Sequence, residues 1–485
     1  MSSPSLGRLV KFKDLTQMQI SSKITGCLLS VCLWGQIWEN GEAWADPGSL
    51  AGVGARSSPD WLTQGTIYEV FPRDFSQEGN LKQVTARLPE LQNLGVNILW
   101  VMPIHPIGLK GRKGTYGSPY SIRDYYAVNP DYGSLADFQD LVTKAHERGM
   151  KVIMDLVANH TSWDSVMMKH PEYYKQDGSG HIIPPDPGWT DVAGLNYQNQ
   201  DLRRYMIHMM EYWIKTADVD GFRCDVAYAV PTDFWEEARK NLEAIKPDIM
   251  MLAEASKPEL LTNAFNLDYS WPILHSLDNV ILRGAPASDL RSTWTENKAL
   301  FPAGALHMMI SDDHDEARAV SRYGINGALA ASILMFTMDG VPLVYNGMEA
   351  GDATESGDPA LFYKLPIFWH PRERPDFRAI YHDLIEWRKQ YPALSSGQTT
   401  WLTNTDPDDV VSYMRHDDKD EFVIEINFSS RPVDGTVELE GVGDFRALNV
   451  NGVTNQAPDN LTHFQLGGYG WKIYHRSILK LAEQK

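Results

Sequence analysis

Hydrophobic residues from about position 65 onward follow two alternating spacings. Short apolar runs typical of buried strands lie at 67–72, 96–104, 151–157, 219–226, 249–255, 264–269, 306–311 and 341–346. Between them apolar residues recur with helical spacing, as at 81–95, 135–149 and 202–217. Gly149 is expected to end the second of these helices, because glycine readily adopts the left-handed conformation that follows a helix.

Strands that alternate with helices predict a parallel sheet. Eight such units over roughly 330 residues indicate a (β/α)8 TIM barrel, which we place at 59–396. An open doubly wound sheet is the structural alternative, but no G-x-G-x-x-G follows the first strand. The sequence therefore favours an α/β protein built on a closed barrel.

Two segments depart from this alternation. About 40 residues separate the third strand from its helix, and a connection of that length predicts a small insertion subdomain at about 158–200. After residue 397 the pattern changes to short alternating strands with polar turns, such as VVSYMRH and EFVIEINFS. We therefore predict a C-terminal antiparallel β-sandwich over 397–485.

The N-terminus carries a single long apolar run, ITGCLLSVCLWGQIW at 24–38. Fifteen residues are too few for a membrane span, which needs about 20. Lys23 precedes the run and Ala43-Trp44-Ala45 follows it, a pattern typical of a cleaved signal peptide at 1–45, with Met18 as an alternative start. The sequence thus predicts export to the periplasm or the medium, and a buried N-terminal helix is the alternative.

Charge and cysteine content narrow the classes of protein further. Lys and Arg number 44 against 63 Asp and Glu, a net charge of −19, which argues against a nucleic-acid partner. The hydrophobic fraction of 43% excludes disorder over most of the length. Of the three cysteines, Cys224 alone lies outside the predicted signal peptide, so an intrachain disulfide is not expected. Nothing in the sequence indicates an oligomeric state.

Acidic residues stand at the carboxyl ends of several predicted strands, where a TIM barrel carries its catalytic groups. They are Asp155, Asp225, Glu254 and Asp315, with spacings of 70, 29 and 61 residues that fit one or two βα units plus the insertion. Converging carboxylates repel one another, so at least one is expected to have a raised pKa. A protonated acid beside an ionised carboxylate is what glycosidic cleavage requires. Each acid alone would more simply be a helix cap or a surface ion pair.

At these residues the chain resembles the α-amylase family, glycoside hydrolase family 13. The motifs that carry the likeness are DLVANH (155–160), GFRCD (221–225), LAEA (252–255), DDHD (312–315), GVNILWVMPI (95–104) and GVPLVYNGME (340–349). GFRxD followed by a downstream Glu and a His-Asp pair at these spacings is specific, whereas each motif alone is weak. The likeness covers most of residues 60–480.

The resemblance implies roles for individual residues. Asp225 would be the nucleophile, Glu254 the acid/base and Asp315 the group that holds the sugar 2- and 3-hydroxyls. Arg223 would keep Asp225 ionised. The further substrate-binding residues implied are Tyr120 as a stacking platform, His160 and His314 as hydroxyl ligands, and Asp155 and Asp313 within the same motifs.

Three departures from the family pattern qualify the resemblance. Ser118-Pro119-Tyr120 replaces the usual His-Gly-Tyr, and Tyr228-Ala229 replaces the usual Lys-His after the nucleophile. Gly194 stands where the family often has an aspartate ligand of a structural calcium ion. We therefore predict no required cofactor and no metal ligands, with Asn159 as the one remaining candidate for calcium.

The resemblance implies a retaining hydrolase of α-1,4-glucosidic bonds, with an α-glucan of the starch or maltooligosaccharide type as substrate. Glucanotransferases, branching enzymes and trehalose-forming isomerases of the same family share the three carboxylates and remain an alternative. A catalytically inactive carbohydrate-binding barrel is a second alternative, although it would have no chemical need for Asp225, Glu254 and Asp315 together.

Overall fold

The computed structural model describes residues 48–354, 357–370, 376–448, 450 and 461–478. The expected signal peptide at 1–45 lies outside these ranges. No helix within them is long and apolar enough to cross a membrane.

Eight parallel strands form a closed barrel, as the alternating pattern predicted. Along the chain they are β1 (Ile67–Val70), β2 (Ile98–Val101), β3 (Lys151–Val157), β6 (Gly221–Asp225), β7 (Met250–Ala253), β8 (Leu267–Tyr269), β9 (Leu306–Met309) and β10 (Val341–Tyr345). β1 pairs with both β2 and β10, which closes the sheet. Apolar side chains such as Ile67, Ile153 and Leu343 fill the interior, and the opposite face of each strand packs against the helices.

Helices follow the barrel strands, and short helical turns lie in the loops. The helices are α1 (Asp60–Thr63), α2 (Leu81–Leu94), α3 (Leu135–His146), α4 (Gln200–Ala217), α5 (Thr232–Glu243), α6 (Leu260–Asn263), α7 (Trp271–Arg283), α8 (Ser288–Leu300), α9 (Ala319–Thr337), α10 (Asp358–Phe362), α11 (Arg378–Gln390) and α12 (Pro392–Ser395). α3 begins with a reciprocal capping box between Ser134 and Asp137. It ends at His146 and not at Gly149, because 147–149 form a separate turn closed by the Gly149 N–H on the His146 carbonyl.

The insertion after β3 is a small subdomain, as its length predicted. β4 (His160–Ser162) and β5 (Val192–Gly194) pair antiparallel, and two 3₁₀ turns lie between them. Trp163 donates its indole N–H to the Thr190 carbonyl at 3.0 Å, and the Tyr197 hydroxyl donates to the Ala158 carbonyl at 2.7 Å. These contacts join the beginning of the insertion to its end.

The C-terminal region is antiparallel, as its alternating strands predicted. It contains β11 (Gln398–Trp401), β12 (Val410–His416), β13 (Asp420–Asn427), β14 (Val433–Thr436), β15 (Arg446–Ala447), β16 (His463–Leu466) and β17 (Trp471–Ser477). Five of these strands form one sheet in the order β11-β12-β13-β17-β15, and β14 pairs with β16 in a second. Val410 of the larger sheet packs with Val433 and Phe464 of the smaller one, so apolar side chains fill the space between the two sheets.

Candidate active site

The predicted acidic residues meet at the carboxyl end of the barrel. Asp155 lies within β3, Asp225 ends β6 and Glu254 directly follows β7, while Asp315 lies in the loop after β9. β6 and β7 approach each other closely, and a side chain at Gly221 would overlap the Met250 carbonyl, so glycine is required there. Parallel pairing of the barrel strands brings together, at their carboxyl ends, carboxylates that are far apart in sequence.

Arg223 joins three of these carboxylates. One terminal nitrogen, Nη1, donates to Asp225 Oδ1 at 3.0 Å and to Asp155 Oδ1 at 3.0 Å, and the other, Nη2, donates to Glu254 Oε2 at 2.7 Å. The Arg223 side chain is fully buried. Residues 223 and 225 share one face of β6 because side chains alternate along a strand, which places the guanidinium beside Asp225, as expected from the sequence.

The negative charge around Arg223 exceeds the positive charge. Burial raises the pKa of Asp225, and the nearby charge of Glu254 raises it further, although Arg223 opposes both effects. Because like charges repel, the two neighbouring carboxyl groups favour holding one proton between them over carrying two negative charges. Acid-assisted cleavage needs such a pair, one carboxyl group protonated and the other ionised.

Val226, the residue after Asp225, has a left-handed backbone with φ of 46°. This conformation is strained for a β-branched residue. It directs the Val226 N–H to Glu254 Oε2 at 2.8 Å, the oxygen that also accepts from Arg223. Two donors on one oxygen thus fix the orientation of the Glu254 carboxyl group.

Asp315 and His314 form a second part of the site. His314 Nε2 lies 3.1 Å from Asp315 Oδ2 and 2.7 Å from the Tyr120 hydroxyl. The imidazole and the Tyr120 ring are stacked, with centroids 5.4 Å apart. Although burial would raise it, the charge and hydrogen bond of His314 lower the pKa of Asp315. The Asp315 side chain is 29% exposed, so an ionised carboxylate faces the open end of the barrel.

Asp155 and Asp313, also predicted to bind substrate, lie behind these groups. Asp155 is fully buried, and its Oδ2 accepts from the Trp100 indole and the Tyr120 hydroxyl, both at 3.1 Å. Asp313 Oδ1 accepts from the backbone N–H groups of Asp315 and Glu316, both at 3.0 Å. Burial raises the pKa of both carboxyl groups. The two residues support Arg223 and the loop that carries Asp315.

His160 and Tyr120 lie on the insertion side of the site. His160 is buried against the Trp189 ring, at 5.6 Å between centroids, and burial lowers its pKa to about 4. The ring is therefore neutral near pH 7 and can both donate and accept. Ser118, which replaces the usual histidine, accepts the Tyr120 N–H on its hydroxyl oxygen at 3.1 Å. This departure from the family pattern thus helps to place the Tyr120 backbone.

Gly194, at the family's calcium position, does not fit the ion. Gly194 offers no side-chain oxygen, and its carbonyl already accepts from the Lys175 N–H at 2.8 Å. The Asn159 carbonyl accepts from the Leu195 N–H at 3.0 Å. Within the described ranges no cluster of three or more His, Cys, Asp or Glu side chains could hold a metal ion. The insertion is instead held by the backbone pairing of β4 and β5.

Three buried residues of the site network were not predicted from the sequence. Glu69 of β1 contacts His314, Trp100 of β2 contacts Asp155, and the Tyr269 hydroxyl of β8 accepts from Arg223 Nε at 3.1 Å. A charged residue two positions after Ile67, on the interior face of an apolar strand, was the available signal for Glu69. Trp100 and Tyr269 carry no such signal, because aromatic side chains are also ordinary components of a barrel core.

The fold and the site together identify the class of protein. A TIM barrel whose strand ends bring an arginine together with several carboxylates is a barrel hydrolase of the glycosidase type. The family model described as the α-amylase catalytic domain matches residues 47–179 and 188–422. The chain belongs to the α-amylase family.

Individual relatives agree with this assignment. The α-amylase MalA of Haloarcula japonica is 28% identical over 445 residues, which cover 86% of this chain but 64% of that protein, slightly less than two thirds. The intracellular maltogenic amylase of Bacillus subtilis is 26% identical over 406 residues, covering 74% of this chain and 67% of that protein. The crystal structure of an α-amylase from Lactobacillus plantarum superposes with a TM-score of 0.76 at 31% identity, covering 85% of this chain and 99% of the other.

Proposed function

We propose that the chain is a retaining glycoside hydrolase that cleaves α-1,4-glucosidic bonds of starch-type glucans or maltooligosaccharides. The observation that carries the proposal is the placement of Asp225 and Glu254 on the two terminal nitrogens of one buried arginine. Paired carboxyl groups held at the mouth of a barrel supply both a nucleophile and an acid. The names of the relatives support the same substrate class.

The reaction follows from these two groups. A carboxylate oxygen of Asp225 attacks the anomeric carbon while Glu254 gives its proton to the leaving glycosidic oxygen. The bond to the leaving sugar breaks and an ester to Asp225 forms. Glu254, now ionised, takes a proton from water, and the resulting hydroxide displaces Asp225 from the opposite face. Two inversions restore the original configuration.

The groups around the pair hold the sugar. Asp315 is ionised and partly open, which suits acceptance of two adjacent hydroxyl groups. His314 holds Asp315 through Nε2, His160 contributes a neutral ring on the insertion side, and the Tyr120 ring supplies a flat surface for the sugar. A distorted ring is favoured when hydrogen bonds to its hydroxyls strengthen in the transition state.

The Glu254→Gln variant tests the assignment of the acid. We expect its first step to be nearly normal on aryl maltosides with good leaving groups, because these need little protonation, and to be lost on maltooligosaccharides. Glu425→Gln, at a buried carboxyl group of the C-terminal sheet, serves as the matched control. Equal losses on both substrate types would contradict the acid/base role. NMR of the first product should show the α-anomer, and the β-anomer would contradict retention.

The transferase alternative differs only in the acceptor that reaches the glycosyl-enzyme. Products formed from maltoheptaose separate the two activities. Glucose, maltose and other shorter chains alone indicate hydrolysis, whereas chains longer than the substrate indicate transfer. A chain that converts no α-glucan at all would instead support the inactive carbohydrate-binding alternative.

We further propose that the protein is exported. The proposal rests on the apolar run at 24–38 and Ala43-Trp44-Ala45, whereas the Bacillus subtilis relative is described as intracellular. N-terminal sequencing of protein from cell fractions tests it. A mature chain that begins at Asp46 in the exported fraction is expected, and an uncleaved chain confined to the cytoplasm would overturn the proposal.

A further inference from the structure

Glu69 is a buried carboxyl group to which the catalytic steps above assign no role. It lies on the interior face of β1, two residues after Ile67, and is fully buried. Its Oε1 is 2.5 Å from His314 Nδ1. Its other oxygen, Oε2, is buried and has no hydrogen-bond partner within the described residues. A buried carboxyl group with one oxygen lacking a hydrogen bond lowers the stability of the fold. A role in the activity of the protein would explain why such a group is present.

The contacts of His314 show what this carboxyl group does. Nδ1 faces Glu69 at 2.5 Å, and Nε2 faces the Tyr120 hydroxyl at 2.7 Å and Asp315 at 3.1 Å. The Tyr120 hydroxyl donates its own proton to Asp155, so its oxygen accepts from Nε2. A neutral imidazole has one N–H and one lone pair, so one of its nitrogens would direct a lone pair at an acceptor. All three contacts are favourable when the ring carries two protons. The stacked Tyr120 ring and the edge of Trp100, with centroids 5.4 and 5.6 Å away, fix the plane of the imidazole.

We propose that Glu69 is a positioning residue, which keeps His314 doubly protonated and turned so that Nε2–H faces the Tyr120 hydroxyl oxygen and the Asp315 carboxylate. Through His314, Glu69 holds the Asp315 carboxylate ionised and in place for the sugar hydroxyls. The inference deepens the proposed function and rests on it. Glu69 itself does not reach the reacting atoms, because His314 lies between it and Asp315.

The electrostatics of the surroundings agree with this geometry. Burial would lower the pKa of His314, but the charges of Asp315 and Glu69 raise it well above its ordinary value. Burial raises the pKa of Glu69, and the His314 and Arg223 charges oppose that rise. The other titratable or charged side chains that face the pair are Tyr120, Asp155, Asp312, Asp313, Tyr269 and Tyr345.

NMR of the histidine rings tests the proposal without reference to activity. In the wild-type protein at pH 8, the ring signals that vanish in His314→Asn should report protons on both nitrogens. In Glu69→Gln, which keeps the size but loses the charge, His314 should carry one proton at the same pH. A singly protonated His314 in the wild-type protein would overturn the inference, even if Glu69→Gln failed to fold.

The kcat and the pH profile of Glu69→Gln provide a second test of the proposal. We expect Glu69→Gln to lower kcat on maltooligosaccharides about 10²-fold, since a small misplacement near the reacting centre costs about that much. The basic limb of its kcat/KM profile should move to lower pH by about one unit or more, because His314 loses its second proton sooner. An unchanged pH profile together with a doubly protonated His314 in the variant would overturn the role.

A second histidine–carboxylate pair lies away from the active site and serves as a control for Glu69 and His314. His307 Nδ1 lies 2.5 Å from Asp268 Oδ1, and Asp268 is fully buried. Asp268→Asn should therefore leave the kcat/KM profile unchanged, and a shift as large as that of Glu69→Gln would show that any such pair acts structurally. Failure of the proposed function is distinguishable, since the wild-type protein would then be inactive on maltooligosaccharides whatever its histidine signals show.

Discussion

Asp220 and Asp225 stand at opposite ends of β6, and each belongs to a buried network of charges. Asp220, just before the strand, accepts from the Val152 N–H at 2.9 Å and contacts Lys246 at 2.9 Å, Lys151 at 3.1 Å and His146 at 2.7 Å. Although burial would raise it, these partners lower the pKa of Asp220. Four donors thus satisfy the two oxygens of this one carboxylate.

Asp225, at the other end of the strand, has the reverse arrangement. Its cation, Arg223, is shared with Asp155 and Glu254, and its Oδ2 is buried without a hydrogen-bond partner in the described part of the chain. Burial raises the pKa of Asp225, and the charge of Glu254 raises it further. A satisfied network stabilises the fold, whereas an undersatisfied one stores electrostatic energy that a reaction can use. The predictions below test this difference, beginning with the largest effect.

Asp225→Asn should abolish turnover while it preserves the fold. An amide cannot form the glycosyl-enzyme, so we expect a loss of about 10⁴-fold or more in kcat on maltooligosaccharides. The melting temperature should stay the same or rise, because one uncompensated negative charge is removed. Steady-state kinetics and thermal unfolding of the same preparation measure both. A tenth of wild-type activity would contradict the nucleophile assignment, and a large fall in melting temperature would contradict the comparison.

Arg223→Lys should reduce kcat about 10²- to 10³-fold even though the charge is kept. A lysine ammonium cannot reach Asp225 and Glu254 with the two-pronged geometry of the guanidinium. Arg239→Lys is the control, since Arg239 is also buried and bonds Glu243 and Asn266 away from the site. Near-normal kinetics in Arg223→Lys, or equal losses in both variants, would show that the arginine acts by packing alone.

Asp220→Asn should show the opposite signature, with lower stability and normal kinetics. We expect a loss of about 2 kcal/mol in the free energy of unfolding at pH 7, from weakened bonds to Lys151, Lys246 and His146. Because the pKa of Asp220 is lowered on folding, its contribution is complete above about pH 4 and is lost as the pH falls further. Urea unfolding at several pH values measures this. If Asp220→Asn changed kcat as much as Arg223→Lys, the two ends of β6 would not differ in function as proposed.

Patterns in the sequence predicted the barrel because each unit repeats the same local signals. Alternating periodicities located all eight strands. The change near residue 397 to short alternating strands with polar turns located the antiparallel region. The end of α3 was misplaced, because Gly149 follows a turn that a glycine signal cannot distinguish from the helix itself. Boundaries depend on a few competing hydrogen bonds, whereas the existence of an element depends on its whole apolar face.

The site was predictable where residues belong to a motif and not where they depend on packing. Arg223 and Asp225 follow from strand alternation, and the structure places them as expected. Substrate binding by Asp155 and Asp313 stays a prediction: Asp155 is held by Trp100, which is distant in sequence, and Asp313 by the backbone N–H groups of Asp315 and Glu316. Glu69 needed the closed barrel to meet His314, since 245 residues separate them.

Removal of metal ions should have the smallest effect. A bound calcium stabilises a folded protein in proportion to its binding free energy, and relatives that hold one would unfold more easily after chelation. In this chain Gly194 brings no side-chain ligand, and the backbone pairing of β4 with β5 closes the insertion. We therefore expect excess EDTA to leave both kcat and the melting temperature unchanged within error. A matched addition of calcium chloride to the chelated protein is the control. A fall of several degrees that calcium reverses would show that other oxygens bind the ion and that the insertion is not held by its own contacts.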